Sequence, residues 1–187
     1  MKKGKITDWL IKSNVIQAQD RDLYEYACRS LVFLIAPFVI ALVAGMVFRM
    51  VAESLFMAVP YVVLRSFCGG FHLKSIKMCL IVSTLSYLAI FSIGVFVSCD
   101  TFYYIAAIIS TISIDVLSPI VSPNKKIDSR RILHFKLMAI VLSVIILIVI
   151  LALFISHRGH FAKPLTLGML LTAFLQWPCI GGTHFID

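Results

Sequence analysis

The sequence predicts an all-α protein, a polytopic membrane helical bundle of about six transmembrane segments behind an amphipathic, interfacial N-terminal region. Three observations carry that prediction. Of the 187 residues, 60% are hydrophobic and only 14% are charged, whereas soluble domains run nearer half apolar and a quarter charged. The mean hydropathy is +0.99. Several charge-free runs reach the roughly 20 helical residues needed to cross a hydrocarbon core. Too little polar surface remains to cover a water-soluble globule.

Residues 1–30 come first and carry Lys2, Lys3, Lys5, Lys12, Arg21 and Arg29. The first apolar run begins only at Leu31, so this is not expected to be a secretory signal, which sets a short apolar stretch close behind its first positive charges. Ile6, Trp9 and Leu10 can share one apolar face, and Leu23, Ala27 and Leu31 repeat every fourth residue, with a break at Ser13-Asn14. With lysines opposite, the segment reads as one or two amphipathic helices on the cytoplasmic interface. The bland alternative is a solvated tail. Residues 31–187 then form a single membrane-embedded domain, with no internal repeat or linker to divide it.

Six apolar segments follow, at 31–49, 51–64, 78–98, 102–122, 137–156 and 164–181. The second is short for a full crossing and holds Glu53 near its start, so it must tilt back from a tight turn after Arg49 or enter only partway. Charge decides between these. If all six cross and the N-terminus is cytoplasmic, 14 of the 17 Lys and Arg lie inside and only Arg49, Arg158 and Lys163 lie outside, as the positive-inside rule requires. If 51–64 failed to cross, the basic stretch 123–136 would move outside and the asymmetry would collapse. The expected product is a multi-pass protein of the cell membrane. Its net charge of +8 reflects topology and anionic lipid rather than a nucleic-acid partner. Cys28, Cys68, Cys79, Cys99 and Cys179 are scattered, unlike the dense pairing of a secreted disulfide framework, and most are expected reduced.

The informative stretch runs from Arg65 through Cys68-Gly69-Gly70-Phe71-His72 to Cys79. It reads as a cytoplasmic loop that ends inside the third span. The two glycines allow a bend that other residues resist. A thiol needs a base or a cation to be a good nucleophile at neutral pH, and imidazole is the usual partner. On one straight helix, seven residues rise about 10.5 Å, so His72 and Cys79 would share a face without touching. A dyad therefore requires residues 69–74 to fold back as an irregular loop. Ser75 is then a natural N-cap, and Cys79 falls in the first turn or so of the third span, where the helix dipole favours a thiolate. Irregular backbone at that depth must be buried in protein or line a wet cavity. Taken by residues alone, two alternatives stay open: both side chains merely pack, or Cys68, His72 and Cys79 bind zinc, for which a fourth ligand at matching spacing is missing.

The order Arg65, Gly69-Gly70-Phe71-His72, then Cys79 at the head of an apolar helix resembles the accessory gene regulator protein B family, membrane peptidases of Gram-positive quorum-sensing systems. The likeness extends to the short polar N-terminus, the number of apolar segments and the loop Ser122-Pro123-Asn124-Lys125-Lys126, which is similar to that family's Pro/Asn/Lys loop after its fourth segment. The resemblance implies removal of the C-terminal tail of a small amphipathic propeptide at the cytoplasmic face. Cys79 would attack the scissile carbonyl, with His72 as general base and then as acid for the leaving amine. A side chain of the peptide would then capture the thioester as a thiolactone or lactone, provided water is kept away. Arg65, Gly69 and Gly70 would belong to the substrate site. No cofactor or metal is implied; the partners are the propeptide, membrane lipid and a second copy of the chain. Cys68, immediately before the glycines, departs from some relatives and introduces a second candidate thiol.

Other polar residues admit two readings each. Asp115 in the fourth span can orient His72 or position substrate, or simply form an interhelical hydrogen bond. Glu53 is expected to pair with Arg49 or to be solvated. Lys125 and Lys126, with Arg130, Arg131 and Lys136, serve as a topology signal or capture an acidic peptide tail. His157 and His160 lie on the far side, and Gln176 and Pro178 mark a kink without an assigned role. Ala41 and Gly45 make a small-xxx-small pair that can bring helices together. The competing functional class is a transporter or channel using Asp115, Glu53 and a helix broken near Gly69-Gly70; a scaffold or sensor is the third. The peptidase alone requires both Cys79 and His72.

Overall fold

Inside a hydrocarbon core no water is present to satisfy backbone N–H and C=O groups, so an apolar chain of this kind folds into helices that satisfy them internally. The computed structural model describes residues 5–13, 15–69, 76–120 and 129–177. Its elements are α1 (Lys5–Lys12), α2 (Arg21–Phe48), α3 (Val51–Cys68), α4 (Ile76–Phe96), α5 (Asp100–Leu117), α6 (Ser129–Ile155) and α7 (Gly159–Phe174). Among the described residues the sole departure from helix pairing is a parallel bridge between Gly69 and Ile120.

The chain divides into two units, Met1–Pro37 and Phe38–Asp187. In the first, α1 ends at Lys12, a turn follows, and α2 starts at Arg21, consistent with the expected break near Ser13. Arg21 Nη2 meets Asp8 Oδ1 at 2.6 Å. Trp9 is left exposed, while Thr7 and Ile16 are buried.

In the second unit the end of α2 leads through Arg49 and Met50 into α3. Ala41 and Gly45 are used here, within the chain. A Cβ on Gly45 would lie 2.6 Å from Val51 Cα, and the Ala41 carbonyl accepts the Ser54 hydroxyl at 2.8 Å. Tyr87 on α4 closes the knot by donating to the Ser54 carbonyl at 2.6 Å.

Among the described residues five helices are long and apolar enough to cross a membrane. The weak second segment is among them, because α3 does not stop at Leu64. It continues through Arg65 to Cys68, giving 18 residues, about 27 Å of helix. Arg65 lies over the Tyr61 ring at 5.8 Å and the Ser66 hydroxyl donates to the Val62 carbonyl, so both polar side chains settle against their own helix. The loop expected from Arg65 onward therefore begins only at Gly69. Helix α6 likewise starts at Ser129, which places Arg130, Arg131 and Lys136 on a helix rather than in a loop.

Helix α7 has 16 residues and is not among those five, yet it runs the length of α5. At one end Lys163 pairs with Asp100 at 2.9 Å; at the other the turn after α7 places Gln176 Nε2 2.9 Å from Ser118 Oγ. It packs against α3, α4, α5 and α6. Gly168 permits this, since a Cβ there would collide with the Met57 carbonyl and the Pro60 ring. The outer faces are apolar: Ile105, Ile109 and Ile112 on α5 and Val141, Ile145 and Ile148 on α6 are exposed. In water such surfaces would aggregate. In lipid they are the solvated face.

Candidate functional site

Three chain segments meet where α3 and α5 end and the turn after α7 begins. The Ile120 N–H donates to the Cys68 carbonyl at 2.9 Å. Gly69 leaves α3 with φ 70°, a region that glycine enters without a Cβ penalty. A Cβ there would also lie 2.6 Å from the Ile120 carbonyl oxygen. Ser118, two residues before Ile120, donates its N–H to the Ile114 carbonyl at 2.9 Å and accepts the Gln176 amide on its hydroxyl.

Cys68 is fully buried at this junction. Ser118, Gln176, Asp115 and Arg65 lie around its thiol. Asp115 Oδ1 lies 2.6 Å from the Ser143 hydroxyl on α6. That hydroxyl is also 2.8 Å from the Ile140 carbonyl, and its single proton serves one acceptor at a time. The interhelical hydrogen bond read for Asp115 is present. Arg65, Gly69 and Asp115, named from sequence, are thus brought to one end of the bundle.

Cys79 is buried in the first turn of α4, with 4% of its surface exposed. Among the described residues no hydrogen bond reaches it. His72, Gly70, Lys125 and Lys126 lie outside the described residues, as do the proposed Ser75 cap, Pro178 and Cys179. Cys28, Cys68, Cys79 and Cys99 are free thiols. Among the described residues no group of three or more His, Cys, Asp or Glu converges as metal ligands would.

The chain matches the family accessory gene regulator B over residues 4–176. It belongs to that family. No curated protein and no solved structure matches the chain. For an accessory gene regulator B protein the membrane setting is expected, and the helices bear it out. Membership is consistent with processing of a quorum-sensing propeptide and suggests a protease-like role.

A polar conduit would need Glu53 and Asp115 to be joined through the interior. Met57, Leu64, Ile114, Met169 and Leu171 are all fully buried in the interior. The hydroxyls of Thr111, Thr166 and Thr172 are turned onto carbonyls of their own helices. This is a packed core. No ion pair joins Glu53 to Arg49 among the described residues; Arg49 instead takes φ 58° at the α2–α3 turn. A surface cavity of about 380 Å³ is bounded by Val149, Leu153, Ser156 and Arg158, at the far end of α6 from Asp115's partner.

Sequence reasoning missed Ser118, Ser143 and Gln176. Gln176 alone carried a signal, as an amide inside an apolar segment, and it was read as a kink. The helix has already ended at Phe174, and the amide is there to reach another segment.

Proposed function

We propose that this protein is a membrane cysteine endopeptidase that removes the C-terminal tail of a small amphipathic signalling propeptide and promotes its cyclisation. The observation that carries the proposal is a buried thiol, Cys79, in the first turn of α4. It stands ten residues beyond the Gly69 bend, in a chain whose family match spans that whole region. A helix start favours the thiolate, and burial keeps water from the intermediate.

The Cys79 sulfur attacks the scissile carbonyl while His72 takes the thiol proton. His72 then returns that proton to the leaving amine, the C–N bond breaks, and the acidic tail departs. The remaining peptide is held as a thioester on Cys79. A thiol or hydroxyl of the same peptide adds to that carbonyl, the C–S bond breaks, and Cys79 is regenerated as a thiolactone or lactone leaves. Had water entered first, the product would be a linear acid. Arg65, Lys125 and Lys126 supply cations for the acidic tail, Gly69 turns the chain out of α3 against the Ile120 carbonyl, and Gly70 lets substrate approach the backbone closely. Asp115 holds the wall of the site through α6. The charge distribution supports an orientation with the N-terminus and this site on the cytoplasmic side.

The test is co-expression in membranes with a small propeptide bearing an acidic C-terminal tail, read by mass spectrometry. Cleavage by wild type and Cys68→Ala, and none by Cys79→Ala or His72→Ala, is the expected pattern. Cleavage by Cys79→Ala refutes the nucleophile assignment.

A further inference from the structure

Residues 137–155 of α6 carry no charge. As helix they measure about 28 Å, close to the hydrocarbon thickness of a bilayer. Ile155 therefore stands at one edge of that thickness, and the turn from Ser156 to Arg158 reaches headgroup level. Val149, Ala152, Leu153 and Ser156 recur at i, i+3, i+4 and i+7, which puts them on one helix face. That stripe, continued to Arg158, lines the cavity of about 380 Å³. The cavity is thus apolar at acyl-chain depth and polar at headgroup depth.

The polar end is left open to a ligand. The backbone N–H groups of Ser156, His157 and Arg158 are spent on the carbonyls of Ala152, Phe154 and Leu153, at 3.0, 3.0 and 2.9 Å. Those bonds fix the turn. Among the described residues the Ser156 hydroxyl and the Arg158 guanidinium find no partner, and both residues are exposed. Lys163, five residues further on, is neutralised by Asp100 at 2.9 Å. Arg158 keeps its charge uncompensated.

We infer that this cavity holds one anionic phospholipid from the leaflet that meets the α6–α7 turn. Its phosphate sits on Arg158 and Ser156, and one acyl chain lies along Val149, Ala152 and Leu153. A guanidinium pairs with phosphate through two parallel N–H···O bonds, which a point charge cannot match. A free phosphate ion would leave the apolar stripe unused, and a zwitterionic lipid would bring a second cation towards Arg158. An arginine that merely reaches up to the headgroups needs no cavity beneath it. The inference is independent of the peptidase reading.

The experiment uses the full chain in phosphatidylcholine vesicles containing a trace of phosphatidylglycerol with a photoactivatable diazirine on its acyl chain. After illumination the cross-linked peptide is mapped by mass spectrometry. In wild type the label falls within residues 149–153, and unlabelled phosphatidylglycerol competes with it, whereas added phosphatidylcholine and inorganic phosphate do not. Arg158→Gln lowers the yield at that segment about tenfold, the worth of a lost charge-assisted hydrogen bond. Arg158→Lys keeps part of it, because the charge remains while the fork is lost. Ala152→Phe fills the stripe and loses the label although Arg158 is intact. The thermal midpoint in detergent verifies that each variant is folded, and Val149→Phe replaces Ala152→Phe should the latter not fold. Equal competition by phosphatidylcholine means ordinary solvation by lipid and overturns the inference. Displacement by inorganic phosphate, or undiminished labelling in Arg158→Gln or in the folded phenylalanine variant, overturns it as well.

Discussion

Gly69 shows how much a single missing carbon can decide. Alanine at that position meets two obstacles, the positive φ and the Ile120 carbonyl 2.6 Å from its Cβ. Gly69→Ala should therefore lose about 1–3 kcal/mol and abolish cleavage, measured by thermal midpoint and by propeptide turnover. Asp115 makes a finer distinction. Its carboxylate is bonded to Ser143, and an asparagine oxygen can accept the same proton. Asp115→Asn should keep the thermal midpoint near wild type, whereas Asp115→Ala should lose roughly 1 kcal/mol, the usual worth of an interhelical bond in a membrane; equal losses would show that the charge matters. At this scale the sequence is only half legible. An acid in an apolar span announces itself by its cost, and Asp115, Arg65 and the Gly69 bend were readable for that reason. Ser143, Ser118 and the partner of Gln176 were not, because a hydroxyl or amide in an apolar segment carries no mark of its partner until the fold brings the two together. Cys79 lies in the first turn of α4 as expected; His72, and with it the pairing, lies outside the described residues.

The helices themselves were legible in number and less so at their ends. Hydropathy stops counting at the first charge, so it cut α3 at Leu64, although Arg65 simply lies back over Tyr61 and the helix continues. It started the last segment at Pro164 for a similar reason. Helix α7 begins five residues earlier, at Gly159, and carries Pro164 inside it, while Lys163 is taken up by Asp100 and the Ser98 carbonyl. The knot joining α2, α3 and α4 gives a test at this scale. Tyr87 donates to the Ser54 carbonyl, while Ser54 separately donates to Ala41. Tyr87→Phe removes one bond and leaves the other. It should lower stability by about 1 kcal/mol without changing propeptide turnover, since the knot sits at the end of the bundle away from Gly69.

The molecule as a whole was read most securely, because its class follows from a shortage of polar surface that no local detail can reverse. Its orientation rests on charge, and a thiol can report it. Cys99 is exposed between α4 and α5. The backbone N–H groups of Phe102 and Thr101, together with the Thr101 hydroxyl, hold its thiol below the ordinary cysteine value. In whole cells a membrane-impermeant maleimide should label Cys99 and spare Cys68 and Cys79. Because the thiolate reacts and its pKa is lowered, the labelling rate should rise with pH around a midpoint below that of free cysteine. Labelling only after the membrane is opened would invert the assigned topology.

Helix α7 also bears on how the protein is made. A chain is synthesised from its N-terminus, so α3, α4, α5 and α6 leave the ribosome before the helix that packs against all four. Until then Gly168 has not met Met57, and Gln176 has not reached Ser118 at the end of α5. The contacts around Cys68 that Ser118 and Gln176 share are complete only once α7 and the turn after it have been made. A copy truncated before α7 is thus expected to be inert and to offer membrane proteases a loosely packed target.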